Sequence, residues 1–161
     1  KRDYRMELND SLDLIIVGGF HGQGRRTGVY GALLMAAYNP ETGNFETVCK
    51  LGTGFDDQAL KDLHERLSPS ISKTPPEGVA YDQNMNPEVY FEPSVMLEVK
   101  GAEITHSPVH TCAHDQIKKG FGLALRFPRY TGRVRDDKTP EQATTTQEVI
   151  GMFKAQAKRG Q

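Results

Sequence analysis

Tryptophan is absent from the 161 residues, and cysteine is limited to Cys49 and Cys112. A chain this long can bury a real core without staples, so two thiols do not amount to a disulfide framework, and a reducing compartment is expected. No apolar run approaches membrane-spanning length and no secretory hydrophobic segment opens the chain, so no membrane role is expected. A strong net charge is missing too: the balance is −1 with a pI near 6.6, which argues against a uniformly basic nucleic-acid binder. Aromatics make up 8% and are scattered. There are no internal repeats or low-complexity tracts, and no Ser-His-Asp order or paired-carboxylate signature. Length points to one domain. The first residues, Lys1-Arg2-Asp3-Tyr4, include no initiator Met, which is the look of a piece excised from something longer.

What charge there is, is unevenly placed. From Ile117 to Lys138 seven cations (Lys118, Lys119, Arg126, Arg129, Arg133, Arg135, Lys138) stand against two acids, Asp136 and Asp137. From Phe55 to Arg66 the balance reverses, with Asp56, Asp57, Asp62 and Glu65 against Lys61 and Arg66. One phosphate-facing surface and one ordinary face are expected.

Hydrophobic patterning predicts a mainly β fold. Leu12 to Phe20 is a continuous β-branched run ending at a glycine pair, and reads as a buried strand. His21 to Gly31 is a glycine-punctuated loop. Ala32 to Tyr38, the turn Asn39-Pro40-Glu41-Thr42-Gly43 and the alternating Asn44 to Leu51 predict a hairpin. Leu60, Leu63 and Leu67 recur at helical spacing behind a cap at Phe55-Asp56-Asp57. Ser68 to Pro87, polar and proline-rich, reads as a loop with one short strand. Ser94 to Ile104 reads as a strand with a glycine bend, and Gly122 to Phe127 as another that runs on irregularly into the basic segment. Thr139 as cap and Pro140 at the first position predict a closing helix over Pro140 to Ala157. About five strands, one internal helix and a terminal helix suit a small Greek-key barrel, of which the OB-fold is the common nucleic-acid-handling form.

Four segments carry candidate chemistry. In Leu125 to Thr144 (LRFPRYTGRVRDDKTPEQAT), cations are interleaved with Phe127, Tyr130, two prolines and a glycine, unlike a plain solvated face. Arg126 and Phe127 set a cation and a flat ring side by side, as minor-groove binders do, and Arg135-Asp136-Asp137-Lys138 has the form of a polyphosphate clamp held in register by its own carboxylates. Gly22 to Gly28 pairs backbone mobility with Arg25 and Arg26, and reads equally well as a phosphate loop or a solvated hairpin loop. Lys50 to Phe55 (KLGTGF) joins strand to helix, and either receives a phosphate at the helix N-terminus or is only a tight connection. His106, His110, Cys112 and His114 crowd one loop, but their spacing fits no closed zinc site, and an ordinary polar loop is expected, with no metal. Cys49 reads as core and His21 and His64 as surface.

Together these segments resemble, nearly end to end, the C-terminal OB-fold domain of ATP-dependent DNA ligases of the archaeal and eukaryotic replicative type. The matching pieces are the Gly-x-Gly-Arg-Arg-x-Gly loop, CKLGTGF from Cys49 to Phe55, Glu98-Val99-Lys100, and LRFPRYTGRVRDDKTPEQATT from Leu125 to Thr145. The resemblance implies a five-stranded barrel over residues 12–161, preceded at 1–11 by the tail of a nucleotidyltransferase domain. It implies a three-step reaction in the full enzyme, using ATP and Mg2+: a lysine takes AMP from ATP, AMP passes to a 5′-phosphate, and the 3′-hydroxyl seals the nick. That lysine lies in a Lys-x-Asp-Gly motif, which this sequence does not contain, so the chain alone is expected to be inert. Arg135, Asp137 and Lys138 would orient pyrophosphate during adenylation, with Lys1 on the AMP phosphate. Arg126, Phe127 and Arg129 would face DNA, with Arg25 and Arg26 on its backbone. Implied partners are nicked duplex DNA, the enzyme's own nucleotidyltransferase and N-terminal DNA-binding domains, and a sliding clamp reached through upstream regions. The location would be cytoplasmic in an archaeon and nuclear in a eukaryote. Two features depart from the family: Met96 stands where Trp is frequent, and the His106 to His114 loop follows no shared pattern. The alternatives are a stand-alone single-strand-binding OB module and the OB domain of an RNA ligase or capping enzyme.

Overall fold

In the computed structural model the described residues are Leu8 and 10–159, and Lys1 lies outside them. Ten strands and two α-helices are present among them. In chain order these are β1 (Leu12–His21), β2 (Tyr30–Asn39), β3 (Asn44–Leu51), α1 (Asp57–Leu67), β4 (Ile71–Ser72), β5 (Val79–Ala80), β6 (Val89–Phe91), β7 (Met96–Lys100), β8 (Glu103–Ser107), β9 (Gly122–Arg126), β10 (Arg129–Val134) and α2 (Thr146–Arg159).

Register reduces the ten strands to five barrel staves. β1 runs antiparallel to β2, β2 to β3, and β1 to β7. β7 and β8 are one strand bent at Gly101-Ala102, and β9 and β10 are its partner bent at Phe127-Pro128, with Glu103 opposite Arg126 and Arg129 opposite Lys100. The last gap, between β3 and β9, is bridged by Cys112, whose N–H donates to the Thr47 carbonyl and whose own carbonyl accepts from the Leu123 N–H. This is the Greek-key order of an OB-fold, with α1 between the third and fourth staves, as the sequence predicted. A closed barrel leaves few strand edges open to pairing with another chain.

Alternation along the strands fills the interior. Leu12, Leu14 and Ile16 of β1 meet Leu33, Met35 and Ala37 of β2, Leu97 and Val99 of β7, and Leu63 and Leu67 of α1 in the main core. Ile15, Val17, Leu34, Ala36 and Met96 form a second cluster on the other face. Leu8 packs into the main core, and its N–H donates to Gly101. Asp56 caps α1 by accepting the Ala59 N–H at 2.8 Å.

Two segments depart from the sequence reading. The stretch Ser68 to Pro87 holds two short strands, β4 and β5, and β6 follows it. After a bulge between Ile16 and Gly18, β1 leaves β7 and takes β6 as its partner, while β6 in turn pairs with β4. The closing helix also starts later than Pro140. Pro140–Gln142 forms only a 3-10 turn, Ala143 is extended, and α2 begins at Thr146. Thr144 is spent on the barrel: its hydroxyl and N–H both bond the backbone of Asp13, and its carbonyl accepts from Tyr38. The true start is a capping box one turn on, where Thr145 Oγ1 accepts the Glu148 N–H at 3.0 Å and Glu148 Oε1 accepts the Thr145 N–H at 2.8 Å.

Candidate functional site

The basic segment occupies both ends of β10, whose first residue faces Lys100 and whose last faces Leu97, roughly 10 Å apart along β7. At the first end the chain turns from β9 into β10 at Phe127. This residue has φ +55 and is 68% exposed. Left-handed backbone is uncommon outside glycine, and a large exposed ring there is doubly unfavourable for folding alone. The Arg126 guanidinium lies 4.8 Å from the ring centre, and Arg129 is exposed two residues on. Cation and ring thus form one projecting unit.

Four contacts link this turn and the other predicted loops. The Tyr130 N–H donates to the Thr53 carbonyl at 2.8 Å, and the Tyr130 ring stacks on Phe55 with centroids 4.8 Å apart. Arg26 Nη1 donates to the carbonyls of Gly31 and Gly52, each at 2.8 Å. The loop carrying Arg25 and Arg26, the KLGTGF connection and the Phe127 turn are therefore joined in series. Gly54 shows why the connection needs its glycine: φ is +98, and a Cβ there would collide with the Tyr130 carbonyl oxygen. KLGTGF acts here as a tight strut. Arg26 is likewise a brace, whereas Arg25 is exposed and only weakly paired, 3.7 Å from an equally exposed Asp57.

At the far end, four charged side chains form a chain of ion pairs. Arg135 Nη1 donates to both oxygens of Asp13 at 3.1 Å, its Nε and Nη2 donate to Asp137 at 3.1 and 3.0 Å, and Lys138 Nζ donates to Asp13 at 2.7 Å. The hydrogen bond from Arg135 holds the Asp137 carboxyl at about 2, well below its ordinary value, and Asp137 in turn raises the guanidinium. Asp136 turns away to Arg66 of α1 at 2.9 Å. Between the two ends β10 bulges, with Tyr130 opposite Val99 and Val134 opposite Leu97, and Gly132 at φ +99. The bulge directs Thr131 and Arg133 towards Glu98.

The sequence named Arg135, Asp137 and Lys138, and the structure brings them together. It missed Asp13, 122 residues from Arg135, because no local motif marks the place. The histidine loop disperses. His106 packs on the rings of Phe121 and Phe153, His110 is buried with Nδ1 3.2 Å from Thr47 Oγ1, Cys112 is buried, and His114 pairs outside with Asp115 at 3.3 Å. Among the described residues no three His, Cys, Asp or Glu side chains gather to hold a metal. Among them also, no helix is long and apolar enough to cross a membrane.

Residues 26–138 match the family described as the ATP dependent DNA ligase C terminal region. Similar proteins include DNA ligase 2 of Thermofilum pendens, 58% identical over 158 residues covering 98% of this chain and 26% of the relative. The DNA ligase of Pyrobaculum islandicum is 53% identical over 161 residues, covering 100% and 27%. Among solved structures, the ligase domain of LigD from M. tuberculosis superposes with a TM-score of 0.64 at 25% identity, covering 84% of this chain and 38% of that one. The chain spans about a quarter of the length of the curated relatives it matches. It belongs to the family of ATP-dependent DNA ligase C-terminal regions.

Proposed function

We propose that this chain serves as the OB-fold domain, residues 12–161, of an ATP-dependent DNA ligase, with residues 1–11 leading in from the nucleotidyltransferase domain. In this reading it works in two steps of one reaction. During enzyme adenylation it closes over the nucleotidyltransferase site, where Arg135, Asp137 and Lys138 orient the pyrophosphate of ATP and Lys1 contacts the AMP phosphate. During sealing it turns the other end of β10 to nicked duplex DNA. There Phe127 and Arg126 enter the minor groove, while Arg25 and Arg129 meet the backbone and Arg26 steadies the loop.

The observation that carries the reading is the separation of two basic groups on one strand. One is exposed and braced around a ring, and the other is held by carboxylates. A single site would need them together, and two sites used in turn suit a domain that reorients. Mg2+ would accompany ATP in the full-length enzyme. The N-terminal DNA-binding domain and a sliding clamp would be partners of the whole enzyme, in the cytoplasm if the source is archaeal like its relatives.

A single-strand-binding module would need several rings along the barrel face. Among the described residues only Ile71 and Phe127 are large hydrophobics left exposed. Fluorescence anisotropy with labelled oligonucleotides tests the choice. Nicked duplex should bind more tightly than single strand, and Phe127→Ala should lose most of that preference. Tighter binding to single strand would overturn the reading.

A further inference from the structure

We infer that Asp13 is a positioning residue for enzyme adenylation, fixing the Arg135 guanidinium and the Lys138 ammonium at the spacing a polyphosphate requires. This rests on the assignment of that end of β10 to the adenylation step.

The geometry assigns the two carboxylates different tasks. The Asp13 side chain is only 12% exposed, as is that of Arg135, whereas Asp137 is 61% exposed. The Asp13 backbone is pinned on both sides: its N–H donates to Thr144 Oγ1 at 2.8 Å and its carbonyl accepts the Thr144 N–H at 2.9 Å. Asp13 therefore holds the inner edge of the guanidinium, through Nη1, from a fixed point on β1. Asp137 covers the outer edge, Nε and Nη2, which is the paired-donor edge that suits a phosphate. An oxyanion arriving from solvent can replace Asp137 there while Asp13 keeps the guanidinium oriented. Lys138 spends one donor on Asp13, and two of its three remain for oxygens. The lysine stem is long and flexible, so a buried tether removes much of the freedom it would otherwise lose on binding.

The sheet itself gains little from a carboxylate at this place. Asp13 stands directly opposite Glu98, and like charges facing across strands are unfavourable. Glu98 has its own donors, Thr131 Oγ1 at 2.7 Å and Ser11 Oγ at 3.3 Å, with Arg133 at 3.8 Å. Asp13 therefore contributes through the cations it holds.

The test uses a full-length ligase that contains this domain, with Asp13→Asn and Asp13→Glu prepared beside Arg135→Ala and Lys138→Ala. Two rates are read in each: enzyme adenylation by ATP, and sealing of nicks that already carry AMP. Asp13→Asn should slow adenylation about tenfold or more through kcat, with the KM for ATP and the sealing rate changed by less than about twofold. Asp13→Glu should recover part of the loss. Thermal midpoints measured alongside report folding. Equal loss in both steps, or unchanged adenylation in Asp13→Asn while Arg135→Ala and Lys138→Ala remain adenylation-defective, would overturn the role of Asp13 alone. Loss of adenylation selectivity in Arg135→Ala and Lys138→Ala themselves would overturn the underlying assignment.

Discussion

His110 is a buried base whose neutral form the fold requires. Burial lowers its pKa to about 4, against an opposing pull from Asp82, while the unfolded chain should titrate near 6.5. Between these values the unfolded state binds a proton that the folded state does not. The stability present above pH 6.5 is therefore lost as pH falls towards 4, by an amount on the order of 3 kcal/mol. His110→Gln should flatten that part of the profile of thermal midpoint against pH. A profile as steep as the parent's would show that the loss comes from elsewhere. Asp137 acts lower on the scale: its depressed pKa of about 2 means that its contribution is present above the ordinary carboxylate range and fades as pH falls through 2. Gly54→Ala places a side chain in left-handed backbone against Tyr130, and should cost about 2–4 kcal/mol in urea unfolding. Residues of this kind differ in legibility. Arg135 and Lys138 announce themselves by local charge, whereas Asp13 gains meaning only from a strand register that pairs it across the whole chain.

Elements were legible where pattern and packing agree. The β2–β3 hairpin and α1 appear as predicted, because turn chemistry, alternation and a leucine stripe all point one way. The C-terminal helix shows the limit. Thr139-Pro140-Glu141-Gln142 and Thr145-Thr146-Gln147-Glu148 are both respectable starts, and only the bonds of Thr144 to β1 and β2 decide between them. Thr145→Ala should therefore lower stability by about 1 kcal/mol. The β9–β10 turn offers a sharper trial. Phe127→Gly relieves left-handed strain, so the fold should be at least as stable as the parent's while affinity for nicked duplex falls. Loss of stability together with affinity would make Phe127 a packing residue after all.

A net charge of −1 conceals the molecule's working asymmetry, since cations cluster at two ends of one strand and acids gather on α1. Affinity of the isolated domain for DNA should be weak and fall steeply with salt, with a log–log slope of roughly −0.9 for each phosphate contacted. The pairing of two tasks on one bent strand is tested most directly by rapid-quench kinetics on the full-length ligase. Arg126→Ala and Phe127→Ala are compared with Arg135→Ala and Lys138→Ala, adenylation and sealing of pre-adenylated nicks being timed separately. The first pair should impair sealing by about tenfold or more and spare adenylation, and the second pair should do the reverse. Equal losses in both steps from all four substitutions would contradict the account.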